Sequence, residues 1–193
     1  MSKELYTSES DFMPPEDKRY LWTDVMLDIE TLGTDGKFVV TQVAIVPFNS
    51  SETAPINLSF HINISVQDSV KNGFTVSDDT INWHINNTSF EIWKEKCQLL
   101  SVQDASREIQ KFIDELGGDI NFWATSTLDY QGISNIFDCV GIKNPIRYDK
   151  RFCLRTLRKL YTDWTGIKYK NTNTHNAYKD CVEQIKQYRE YMK

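Results

Sequence analysis

The chain has 193 residues, 40% of them hydrophobic and 12% aromatic, which supports one domain with a real core and excludes a disordered chain. No apolar run approaches the roughly 18 residues of a membrane-spanning helix, so a soluble protein with no membrane partner is expected. The net charge of −5 argues against a polyanionic partner, but Lys143 to Lys170 holds nine Lys or Arg against two acidic residues, a local +7 that leaves −12 elsewhere.

Met1 to Tyr20 is polar, contains Pro14-Pro15 and lacks the apolar segment of a secretory signal. It reads as a flexible leader, residues 1–20, ahead of a single domain over 21–193. Cys97, Cys139, Cys153 and Cys181 have no close pairing such as C-x-x-C. Reduced thiols and a cytoplasmic location follow.

Strand signals come first: Asp24 to Glu30, Phe38 to Phe48 and Asn57 to Ser65, with Gly33 and Gly36 in the first connector. Three sequential antiparallel strands are the simplest solution. The period then becomes helical. Ser77-Asp78-Asp79-Thr80 starts a helix through Ile81, Trp83 and Ile85, and Ser89 to Leu100 continues with Phe90, Ile92 and Trp93. Asp104 to Leu116 carries Ile109, Phe112, Ile113 and Leu116 at helical spacing and ends at Gly117-Gly118.

Ile120 to Ala124 reads as a buried strand leading into a helix from about Asp129 to Val140, and Ile146 to Tyr148 as a further short strand. Helices over Cys153 to Trp164 and Asn176 to Met192 flank a loop, Thr165 to Thr174. Strands followed by alternating strand and helix predict an α/β fold, a mixed sheet flanked by helices.

Asp28 and Glu30 close the apolar run Val25-Met26-Leu27. Residues i and i+2 of a strand share a face, so the two carboxylates converge and repel unless a cation lies between them. Hard cations take oxygen ligands, and two further acids fit. Asp129 follows the carboxyl end of the strand Ile120 to Ala124, where sites gather in open α/β sheets. As an isolated residue it reads first as a helix cap. Asp119 precedes the same strand at its other end, and Asp138 lies two turns into a helix.

Asp180 lies on the last helix, five residues after His175. Five helical residues advance about 500 degrees, so the pair shares a face only if His175 sits at the loop-to-helix junction. His61 and His84 have no comparable partner in the sequence.

In this order, Asp28, Glu30, Asp129 and His175-x4-Asp180 resemble the DEDDh 3′-5′ exonucleases, the superfamily of RNase T and proofreading exonuclease domains. Leu27-Asp28-Ile29-Glu30-Thr31-Leu32-Gly33 is similar to the first motif. The tyrosine branch would need Tyr where Asn176 stands. Thr80-Ile81-Asn82-Trp83 with Ser89 to Glu95 is similar to phage-type exodeoxyribonucleases and related bacterial exoribonucleases. The second motif departs from the commoner form, because no Asn and Phe precede Asp129 in the usual places.

The resemblance implies a ribonuclease H-like fold, a five-stranded mixed sheet whose first three strands are antiparallel. It also implies two divalent cations, Mg²⁺ or Mn²⁺. Asp28 would bridge both ions, Glu30 and Asp180 would hold the first, and Asp129 would act directly or through water. His175 would take the proton from the attacking water. Thr31 would meet the terminal 3′ hydroxyl through its backbone, with Leu32 wedged beneath the last base. Trp83 is a candidate for base stacking, and Arg147, Arg151 and Arg155 are candidates for phosphate contacts.

The expected activity is metal-dependent release of nucleoside 5′-monophosphates from the 3′ end of single-stranded nucleic acid, with a slight lean to DNA. The alternatives are an exoribonuclease, a short-oligonucleotide phosphodiesterase and a non-catalytic nucleic-acid-binding module. Relatives of the RNase T type are often dimers, so a homodimer belongs among the expectations.

Overall fold

Strand β1 (Asp24–Thr31) is buried along nearly its whole length, as a strand with neighbours on both edges and helices on both faces must be. The computed structural model describes residues 22–50, 58–87, 98–169 and 174–193. In it, β1 pairs antiparallel with β2 (Val40–Phe48) and parallel with β5 (Asn121–Ala124). Strand β3 (Phe60–Ile64) pairs antiparallel with β2 and parallel with β4 (Leu99–Leu100), while β6 (Arg151–Cys153) runs parallel to β5. The sheet order is β4-β3-β2-β1-β5-β6.

The sheet therefore has six strands rather than five. The last is Arg151–Cys153, not Ile146 to Tyr148. Ile146 is buried as a core plug, and its carbonyl accepts Arg151 Nη2 at 2.8 Å. Leu99 and Leu100 pair with Asn63 and Ile64 instead of ending a helix. The rest of the helix expected over Ser89 to Leu100, the leader, Cys97 and the start of the third predicted strand at Asn57 lie outside the described residues.

Among the described residues six α-helices complete the fold: α1 (Val66–Lys71), α2 (Asp78–Asn87), α3 (Val102–Leu116), α4 (Thr127–Val140), α5 (Leu154–Thr165) and α6 (Ala177–Tyr191). The first was not expected, although Ser65 caps it by accepting the Asp68 amide. Ser101 caps α3 in the same way, through Asp104. Among the described residues no helix is long and apolar enough to cross a membrane.

Two cores lie on opposite faces of the sheet. Val25, Leu27 and Ile29 pack with Ile109 and Phe112 of α3 and Ile133 and Phe137 of α4. Met26 packs with Ala44 and Val46 of β2 against Leu154 of α5 and Cys181, Ile185 and Tyr188 of α6. By strand alternation Asp28 and Glu30 lie on the Met26 face, beneath α6. A slip of one residue would send both carboxylates into the α3/α4 core and withdraw three large apolar side chains, each contributing roughly 1.5–3 kcal/mol by burial. That difference fixes the register.

Gly132 sets the approach of α4 to β1. A Cβ built there would lie 2.4 Å from Ile29 Cδ1 and 3.1 Å from Val40 Cγ2, so only a residue without a side chain allows this contact unshifted. The close approach brings the first turn of α4 to the end of β1.

Candidate active site

The carboxyl end of β1 is irregular where the site begins. Glu30 pairs with Gln42, but Thr31 pairs with Val40, leaving Thr41 as an extra residue. Its Oγ1 donates to Glu30 O at 3.1 Å, which ties the bulge down. Bulges of this kind re-aim side chains beside active sites.

Helix α6 delivers the next carboxylate. Asn176 caps it by accepting the Lys179 amide at 3.1 Å, and Gln42 Oε1 accepts the Ala177 amide at 3.3 Å. Asp180, one turn inside, reaches back over the cap. Its Oδ1 accepts the Thr174 amide at 2.7 Å and Thr174 Oγ1 at 3.0 Å, and its Oδ2 accepts the His175 amide at 3.1 Å. This explains the five-residue spacing. Asp180 does not share a helix face with His175; it grips the backbone that carries it.

His175 adopts φ of 54°, the left-handed region that L residues enter only when surrounding contacts hold them there. Its ring stands edge-on to Trp83 of α2, with centroids 4.7 Å apart at 80°. Burial lowers the pKa of His175 and the neighbouring His84 charge lowers it further, against the opposing pull of Asp180. The net downward shift favours the neutral imidazole, the form that can accept a proton.

Asp129 sits in the first turn of α4 and fills both roles that the sequence allowed. Its Oδ2 accepts the Ser126 amide at 3.0 Å, and Ser126 caps the helix in return, forming a capping box. The same carboxylate is buried close enough to Asp28 and Glu30 to raise both.

Asp28, Glu30 and Asp180 each present an oxygen within 4.8 Å of the others. Asp129 is not one of that trio. Burial raises Asp28 well above the ordinary carboxylate range, and the charges of Asp129, Glu30 and Asp180 add to the rise. Glu30 is raised to about 8 by burial first, then by Asp180 and Asp129. Asp129 is raised to about 6 by burial, with the Ser126 and Ile29 amides pulling the other way. Among the described residues no Lys or Arg ion pair relieves these groups. An all-oxygen, charge-crowded donor set of this kind fits a hard divalent cation such as Mg²⁺ or Mn²⁺.

Two partners escaped the sequence analysis. Gln184 Nε2 donates to Asp28 Oδ1 at 2.7 Å. Its position four residues after Asp180, on the same helix face, was the available signal. His84 Nε2 donates to Thr31 O at 2.9 Å, so this histidine has a partner after all, one brought by tertiary folding. His61 instead stacks on Tyr178, with centroids 6.3 Å apart.

The candidates for nucleic-acid contact are scattered. Trp83, 45% exposed, stands at the site beside His175. Thr31 is buried at the bulge. Leu32 is only 7% exposed and belongs to the core, which leaves little of its side chain to wedge beneath a base.

Within the basic run, Arg147, Lys150 and Lys159 are paired by the fold itself. Arg147 pairs with Asp149 and Asp119, the latter at the amino end of β5 and so opposite the carboxylates. Lys150 also pairs with Asp119, and Lys159 with Asp163. Arg151 lies 5.6 Å above the Tyr130 ring and bonds the Ile146 carbonyl. Phosphate contacts expected of Arg147 and Arg151 do not match these placements. Arg155 is exposed in the first turn of α5, at the carboxyl end of β6, and has no ion pair among the described residues.

Two nucleases are among the solved structures that share this fold. The nuclease domain of 3′hExo, a DEDDh family member bound to rAMP, aligns at 11% identity over 89% of this chain and 90% of that one, with a TM-score of 0.56. The RNase domain of the yeast Pop2 protein aligns at 10% identity over 94% of this chain and 89% of that one, with a TM-score of 0.54. At such identities the likeness speaks for the fold alone. No curated protein sequence matches. Residues 23–192 match the family described as the 3′-5′ exoribonuclease Rv2179c-like domain. With nearly the whole domain matched and the DEDDh residues in order, the chain belongs to the family of 3′-5′ exoribonuclease Rv2179c-like domains.

Proposed function

We propose that this protein is a divalent-metal-dependent 3′-5′ exonuclease that trims single-stranded RNA and releases nucleoside 5′-monophosphates. The observation that carries the reading is the convergence of Asp28, Glu30 and Asp180 beside His175, whose backbone Asp180 holds. The family's description as an exoribonuclease supports RNA over the slight lean to DNA drawn from the phage-type resemblance.

Cations held by Asp28, Glu30 and Asp180, with Asp129 acting directly or through water, would neutralise the scissile phosphodiester and lower the pKa of the attacking water. His175 accepts the proton of that water. The new P–O bond forms as the bond to the penultimate 3′ oxygen breaks, and the terminal nucleotide leaves as its 5′-monophosphate. Trp83 offers an aromatic face to a base and Arg155 an exposed cation to a phosphate, which suits a single-stranded polyanion.

Single-stranded RNA and the matching DNA, labelled at the 5′ end and incubated with Mg²⁺, Mn²⁺ or EDTA, test this. A ladder shortening from the 3′ end with either metal, faster on RNA and absent in EDTA, is expected. No metal-dependent shortening of either polymer refutes the proposal, and shortening confined to the shortest oligonucleotides reassigns the substrate.

A further inference from the structure

We propose that Gln184 is a positioning residue that holds the Asp28 carboxylate in its metal-binding orientation, an inference that rests on the metal-dependent reading of the same site. Gln184 and Asp28 are 156 residues apart, both buried, and joined by the 2.7 Å bond from Nε2 to Oδ1. Among the described residues no other donor reaches the Asp28 carboxylate. That carboxylate lies among the charges of Asp129, Glu30 and Asp180. Repulsion favours any rotation that carries it away from them, and the Gln184 amide opposes this.

The amide is neutral, and that decides its suitability. Lys or Arg at this position would satisfy Asp28, but their charge would compete with a cation for the same oxygens. Glu would add another like charge. An amide supplies the N–H and leaves the negative charge of the site intact for the metal.

The other end of the side chain adds no hydrogen bond of its own: Gln184 Oε1 is buried with no hydrogen-bond partner among the described residues. A buried carbonyl without a donor is unfavourable, a penalty that an apolar side chain of the same length would avoid. Gln184→Met removes that unpartnered oxygen but also leaves the buried Asp28 carboxylate without its donor, so its effect should be read in metal binding rather than in the stability of the metal-free fold. A purely structural glutamine would leave the metal affinity unchanged.

Mn²⁺ binding to the full chain, followed by the paramagnetic resonance signal of the free ion, separates these outcomes. For Gln184→Met the affinity should fall roughly 10-fold or more, the range seen when the hydrogen-bond partner of a metal ligand is removed. The Mn²⁺ concentration giving half-maximal nuclease activity should rise in step, with activity returning as Mn²⁺ is raised. Gln184→Asn, whose amide is withdrawn by one methylene, should weaken binding similarly and carries the test if the methionine variant does not fold. Wild-type Mn²⁺ affinity in either folded variant overturns the inference, even if activity is lost. Failure of the unaltered protein to bind Mn²⁺ overturns the metal reading itself, and the inference with it.

Discussion

Glu30→Gln should stabilise the metal-free protein, and the gain should depend on pH in a defined direction. Glu30 is raised from 4.5 to about 8 in the folded state, chiefly by burial and then by Asp180 and Asp129. Below pH 4.5 the carboxyl is protonated in folded and unfolded chains alike, and it costs nothing. Between that value and about 8 the unfolded chain ionises while the folded one resists, so stability falls by about 1.4 kcal/mol for each pH unit. Above pH 8 the loss is complete, on the order of 4–5 kcal/mol before the neighbouring carboxylates relax. Glutamine does not ionise and escapes this loss. Urea unfolding in EDTA at pH 4.5 and pH 8.5 should show a difference between the proteins that opens by several kcal/mol at the higher pH. With saturating Mn²⁺ at pH 8.5 the order should reverse, because the unaltered site gains a cation that the variant binds poorly. A pH-independent difference, or a Glu30→Gln protein less stable in EDTA at pH 8.5, would refute the view that charge crowding prepares this site for metal.

Asp28→Asn should abolish turnover while circular dichroism and urea unfolding show an intact fold, since the side chain nearly keeps its shape and loses its charge. His175→Ala should lower kcat by about 100-fold or more with little change in Mn²⁺ affinity, because the role proposed for the imidazole is proton transfer and not metal binding. Trp83 helps to bury His175, and burial lowers the histidine pKa. Trp83→Ala should therefore move the acid limb of the kcat/KM profile to higher pH, towards the unperturbed value near 6.5, and raise KM for RNA. Ser126→Ala removes the cap of α4 and should destabilise the protein by about 1 kcal/mol in thermal or urea unfolding.

Much of the site was legible because local periodicity reaches it. Alternation along β1 put Asp28 and Glu30 on one face, and helical geometry placed His175 at a junction rather than on α6 beside Asp180. What escaped depends on pieces meeting across the fold. Gln184 matters only because α6 crosses the end of β1, 156 residues away in sequence. The basic run looked like a phosphate surface until Asp119, from the far end of β5, paired with Arg147 and Lys150. Short strands escaped for a related reason. Leu99–Leu100 is only two residues long, and Arg151–Cys153 alternates without a buried side chain, so each is defined by backbone pairing and not by pattern. Ile146 attracted the strand assignment through its hydrophobicity, which the core uses as a plug.

The most direct test of the central claim is the identity of the first product from RNA carrying different labels at its two ends, with Mn²⁺ present. The account predicts that the 3′-terminal nucleotide appears first, as a nucleoside 5′-monophosphate, and that EDTA or Asp28→Asn abolishes its release. Release that begins at the 5′ end, internal fragments as the first products, or undiminished release in EDTA would contradict it.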